Sequence, residues 1–241
     1  MVYQNQLHKH NTMKKALLPI LLFLFPICLF SQENIDVDYS NIKEYIQKQP
    51  GGYAQLTERF EINDSLLTLN DYALIYYGYS FTSKYKGSMD IWQDVDSLME
   101  EKRIEEAYEQ VKKYRKTNPV SLKLLIYAVN LASELQKEEE VQSYVNKYVK
   151  LSSAILSSGD GTSEETAFKV ICVNDEYQIL YNVFNVQNLK QQSLVNNCDL
   201  MEFENSPYYQ GTQIYFDISR SLDFMEAVSY THLTLPTTPY V

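Results

Sequence analysis

Histidine is nearly missing from this sequence: His8, His10 and His232 are the three present in 241 residues. All of them fall in terminal stretches that read as foreign to the folded part, so residues 32–226 hold none. Without an imidazole, that region lacks the side chain best suited to moving protons near neutral pH and the commonest nitrogen ligand for metals. A cysteine nucleophile there would have no histidine base. Cysteine is also scarce, with Cys172 and Cys198 alone inside 32–226. Two thiolates without histidine leave zinc coordination incomplete, and no cofactor is expected. Positive charge is in short supply as well. Lys9, Lys14 and Lys15 precede residue 32, which leaves 18 basic residues against 31 acidic ones and a formal charge of −13. Such a field repels phosphate backbones and anionic headgroups, which disfavours nucleic acid and peripheral membrane binding.

One long apolar run exists, Leu17 to Phe30. Its length of about 14 residues falls short of the ~20 needed for a permanent membrane helix. Lys14 and Lys15 precede it and the small Ser31 follows, the layout of a cleaved export signal over 13–31. Residues 1–12 then read as sequence translated from a start set too early. Ile27 before Cys28 is bulky for lipid attachment, so a soluble periplasmic or secreted chain is expected over an anchored one. At the other end, Val228 to Thr238 reads VSYTHLTLPTT and looks like a translated sequencing adapter. Ala227 to Val241 is therefore set aside as artefactual.

Between these ends, apolar residues first recur at helical spacing. Helices are expected over 41–49, ending at Pro50-Gly51-Gly52, then over 53–61 and 69–85. Gly78 in the third would allow a close helix contact. Further helices are expected over 89–101, 104–116, 120–136 and 138–156. Ala107 with Val141, Val111 with Val145, and Tyr114 with Tyr148 repeat at an offset of 34. The string RIEEAYEQVKKYRKTNP resembles the second helix of a tetratricopeptide unit. An ordinary antiparallel bundle explains the same spacing.

The period then changes. Residues 167–173 alternate, Asn174 would cap a short helix to about Phe184, and strands follow at 191–195 and 198–204 around an Asn196-Asn197 turn. Residues 212–218 alternate again, with Ile214, Phe216 and Ile218 on one face. Helices first and strands after define an α+β fold. An N-terminal antiparallel helical bundle over 32–156 is followed by a small antiparallel sheet with one short helix over 157–226, the two packed as one domain.

The strings LTLNDYALIYYGYSF, SSAILSSGDGTSEETAFKVICVNDEYQIL and IYFDIS resemble an exported bacterial family known as domain of unknown function 4919. The resemblance covers most of residues 35–224. It implies a shared fold and an envelope location, and it carries no activity.

Candidate site residues are few. In Ser157-Ser158-Gly159-Asp160-Gly161, local structure accounts for each residue: Gly159 as a left-handed helix cap, Asp160-Gly161 as a turn, Thr162 with Glu165 as a capping box. Asp175 and Glu176 stand in a helical first turn, where negative charge is favoured and neighbouring side chains diverge. Asp217 lies opposite the apolar face of its strand. Convergence of two among Asp160, Asp175, Glu176 and Asp217 in a cleft would suit hydrolysis of a glycosidic bond in an envelope or dietary glycan. Cys172 and Cys198 form a disulfide worth roughly 3 kcal/mol if the compartment is oxidising, or remain two buried thiols. Eighteen tyrosines remain in 32–226. Tyr76, Tyr77 and Tyr79 are the candidates for a binding surface, and Tyr72, Tyr76, Tyr114 and Tyr148 equally suit a core with a wet rim. The reading these features favour is a non-enzymatic binding or structural module, its partner an envelope protein or a glycan.

Overall fold

The computed structural model describes residues 34–87 and 92–233. The expected leader, Cys28 and Ser31 lie outside the described residues, as does 234–241. Asp38 caps helix α1 (Tyr39–Lys48), accepting from the amides of Ser40 and Asn41 at 2.8 and 3.0 Å. Pro50-Gly51-Gly52 does not separate two helices by a gap: Pro50 is the first residue of α2 (Pro50–Glu61), where its fixed φ suits the turn and its missing N–H is not needed. Thr68 and Asp71 form a reciprocal capping box at the start of α3 (Leu69–Tyr79). This helix stops six residues short of the expected end, and Tyr85 is buried from the turn that follows.

Gly78 does serve a close contact. A Cβ there would sit 2.8 Å from the Tyr53 ring and 3.0 Å from Ile46 Cδ1, so α1 and α2 press against α3 at this point. The bundle continues through α4 (Gln93–Glu100), α5 (Ile104–Arg115), α6 (Leu122–Glu134) and α7 (Glu138–Leu156). Each packs on the next, and α7 returns to pack on α3. Of the positions repeating at 34, Ala107, Val111, Val145 and Tyr148 are buried, whereas Val141 and Tyr114 are half-buried.

The α+β architecture stands, with a sheet that is mixed rather than wholly antiparallel. Strands β1 (Phe168–Lys169), β2 (Leu189–Val195), β3 (Cys198–Phe203) and β4 (Gln213–Asp217) lie in the order β1-β4-β3-β2. The β2–β3 hairpin closes at Val195↔Cys198 through Asn196, which adopts φ 54°. β3 and β4 are antiparallel, and β1 runs parallel to β4 with Phe168 opposite Phe216. Parallel pairing arises because the chain leaves β1 through a helix and a hairpin before β4 returns beside it. Of the expected 167–173 strand, Phe168 and Lys169 pair with β4, and the Val170 amide donates to the Asp217 carbonyl at 3.1 Å. Phe168, Met201, Phe203, Ile214 and Phe216 fill the buried face, each at most 3% exposed. Helix α8 (Val173–Gln178) continues as a π-helical turn to Val183, close to the expected end at Phe184. The last helix, α9 (Ser219–Leu233), runs through 227–233, part of the stretch set aside on sequence.

Candidate functional site

Two adjacent carboxylates at the start of α8 occupy the interior. Asp175 is 2% exposed and Glu176 is fully buried, because α8 lies against α6 and its first turn faces the core. The Tyr76 hydroxyl on α3 donates to Asp175 Oδ2 at 2.8 Å, and the Leu122 amide donates to Asp175 Oδ1 at 3.1 Å. Leu122 opens α6, whose own cap, Ser121, accepts from the Leu124 amide. Asp175 therefore supplies α6 with an acceptor from a distant part of the chain, at the end where the helix dipole favours negative charge. The Tyr76 oxygen accepts in turn from the Ile171 amide at 3.3 Å. Burial, reinforced by the Asp175 charge, holds the Tyr76 hydroxyl well above the usual phenol range.

Glu176 points elsewhere. Neither of its carboxyl oxygens accepts a hydrogen bond from a donor side chain or amide. Asp199 on β3 is the acid whose charge weighs most against ionisation of Glu176. Burial raises the Glu176 pKa well above the carboxylate range, and the charges of Asp199 and Asp175 push in the same direction. Asp199 is 6% exposed and also raised by burial, partly offset by Gln192, whose amide donates to Asp199 Oδ2 at 2.6 Å. Tyr177 in turn donates its hydroxyl to the Gln192 side chain. Polar contacts thus run from Asp199 outward to exposed Gln192 on β2.

The other candidate acids have different employment. Asp160 is exposed and gathers its own loop, accepting from the Thr162 amide, the Thr162 hydroxyl and the Thr166 hydroxyl at 2.9, 2.7 and 2.6 Å. Those bonds, Thr166 first, hold its pKa below the usual range. The expected capping box at Thr162 and Glu165 is not formed, since no helix follows. Nor is Gly159 a left-handed cap. Its special demand is space, since a Cβ would meet the Thr166 carbonyl oxygen at 2.2 Å, whereas Gly161 takes the positive φ of 71°. Asp217 pairs with Lys169 Nζ at 3.1 Å and accepts from the Ser219 amide that opens α9. Each candidate acid is held by a different set of partners. Beside Asp175 lies a cavity of about 10 Å³, bordered also by Tyr79, Tyr85, Ser121 and Cys172. That is room for about one water and not for a sugar ring.

Tyr76, Tyr77 and Tyr79 are core residues rather than a binding surface, 0, 0 and 4% exposed. Tyr77 donates to the Lys169 carbonyl at 3.1 Å, and Tyr79 lies within 3.1 and 3.2 Å of the Lys84 and Thr117 carbonyls. Of the two readings of the tyrosine supply, the core is the one these three follow. No disulfide joins Cys172 and Cys198. Cys172 borders the small cavity, while the Cys198 thiol faces the Glu164 carbonyl at 4.0 Å, and burial pushes it up to about 11. Among the described residues, no three histidine, cysteine, aspartate or glutamate side chains group as metal ligands.

Asp199 and Lys147 are among the buried groups missed on sequence. Asp199 shares the core face of β3 with Met201 and Phe203, so an acid at the head of an alternating apolar series was the available signal. Lys147 on α7 is 2% exposed and donates to Ser143 Oγ at 3.0 Å. The nearby Glu61 pairs with Arg115 at 3.1 Å instead, and burial lowers the Lys147 pKa to about 8.

Fold and site together define an α+β domain that buries a few ionisable residues, Asp175, Glu176, Asp199, Lys147 and Arg115, in its core. Comparison with known proteins gives the family: the chain matches the model described as domain of unknown function (DUF4919) over residues 40–227, and it belongs to that family. No curated protein and no solved structure matches it significantly. Among the described residues, no helix is long and apolar enough to cross a membrane.

Proposed function

We propose that this protein is a non-enzymatic binding or structural module of the bacterial envelope. The observation that carries the reading is the commitment of Asp175: both oxygens are taken by buried donors, and the adjacent space admits about one water. A glycosidase needs two carboxyl groups facing a shared substrate cleft. Here Asp160 organises an exposed loop, Asp217 neutralises Lys169, and Glu176 is fully buried. The stacked helices α4 to α7 supply a rigid frame of the kind that presents surfaces to partners. The sequence features of an export leader support the location.

The test is direct. Purified protein incubated with envelope and dietary polysaccharides should release no new reducing ends above a heat-killed control. Release that vanishes in both Asp160→Asn and Asp217→Asn, with melting unchanged, would overturn the non-enzymatic reading. Fractionation of cells producing the full chain should recover it in the periplasm or medium, and recovery in the cytoplasm would overturn the location.

A further inference from the structure

Strand β2 ends the sheet order, and among the described residues no strand pairs with its outer edge. Which backbone groups lie on that edge follows from the alternation of an antiparallel ladder. The Phe203 amide donates to the Thr212 carbonyl at 2.9 Å, so Phe203, Met201 and Asp199 spend their backbone bonds on β4. Glu202, Leu200 and Cys198 then turn theirs toward β2, where they meet Gln191, Ser193 and Val195. The residues between, Gln192 and Leu194, direct their N–H and carbonyl groups outward. Leu194 also leaves its side chain 58% exposed. The edge is ordered before anything docks on it. The Gln192 side chain donates to Asp199 Oδ2 at 2.6 Å and accepts from the Tyr177 hydroxyl.

We propose that two copies of this chain pair antiparallel along β2, with the two-fold axis at Ser193, so that their sheets join into one. A row of outward strand groups is complementary above all to another strand. This register sets Gln192 opposite the partner's Leu194, and Leu194 opposite the partner's Gln192. Every outward group of these two residues is then met by its counterpart on the other copy, as a two-fold contact requires. Ser193 faces its own mate, and the two Leu194 side chains lie diagonally on one face, where each gains cover. Charge agrees with the pairing. Lys190 is the one charged residue of β2, and it falls opposite the partner's Asn196, so like charges do not oppose. The usual guards against edge pairing, a lysine and a bulge, both sit at Leu189–Gln191. They leave Gln192 to Val195 open, and β2 holds no proline. The inference is independent of what else the module binds.

Sedimentation of the purified protein from about 10 μM to about 1 mM should show monomer passing to dimer, since so small a contact belongs at the weak end of interface sizes. Salt of about 0.15 M or more is needed, because two acidic copies repel at long range. Leu194→Pro deletes one outward N–H and leaves the bonds to β3 in place, so it should hold the protein monomeric throughout. Leu194→Lys, changed at an exposed side chain, should weaken the dimer several-fold, because two lysines would then meet on the diagonal. Ser193→Cys should form a disulfide with its own mate on oxidation, whereas Gln191→Cys, opposite the partner's Val195, should not. Monomer at every concentration, a dimer that survives in folded Leu194→Pro, or equal cross-linking by the two cysteine variants would each overturn the pairing. Should Leu194→Pro fail to fold, Leu194→Lys and the cysteine pair decide the matter.

Discussion

Asp175 is the residue on which three elements depend, because Tyr76 of α3, the start of α6 and the first turn of α8 meet at its carboxylate. Asp175→Ala would strand a buried hydroxyl and a buried amide together. A loss of roughly 2–4 kcal/mol is expected in urea unfolding, since a stranded buried polar group carries its full desolvation cost. Lys147 should behave in the opposite sense. Its folded pKa of about 8 lies below the ordinary 10.5, so the unfolded chain binds this proton more tightly and stability rises as pH increases from about 8 toward 10.5. Lys147→Met should therefore melt at or above the wild type at neutral pH, with the gap narrowing under alkaline conditions. Sequence exposed only part of this site. Asp175 and Glu176 were legible as a first-turn pair, but their burial was not, because it depends on which way α8 faces after folding. Asp199 bears on Glu176 only once the whole chain has folded, which local patterning does not encode.

Helix α7 was readable to both ends, Glu138 and Leu156, because three glutamates open it and an apolar stripe runs its length. Elements whose definition depends on remote partners were not. β1 is two residues long because the Tyr215 amide of β4 donates to the Gly161 carbonyl instead, and β4 arrives from far down the chain. Pro50 marks the end of α1 as expected and also starts α2, since proline punctuates and also opens helices. The loop after α7 offers an element-scale test. Gly159→Ala places a methyl 2.2 Å from the Thr166 carbonyl oxygen and 2.7 Å from that of Ala167, both backbone atoms that cannot simply rotate away. A destabilisation of about 1–3 kcal/mol is expected from such overpacking, read as a lower urea midpoint. Glycine at this position is thus a packing requirement rather than a conformational one.

For the molecule as a whole, the thiols make a further expectation plain. With Cys172 and Cys198 not bonded to each other, thermal melts with and without reductant should coincide, and a fall in melting temperature on adding reductant would reveal a bridge. The strand order carries a consequence for synthesis. β4 is the last strand made, yet it occupies an interior slot between β1 and β3. A nascent chain still lacking residues 213–217 has no template on which β1 can zip, and Phe168 has no Phe216 to cover it. Closure of the sheet is thereby deferred until residues 213–217 have left the ribosome. Under the envelope location proposed above, that delay would keep the chain threadable through a translocation pore.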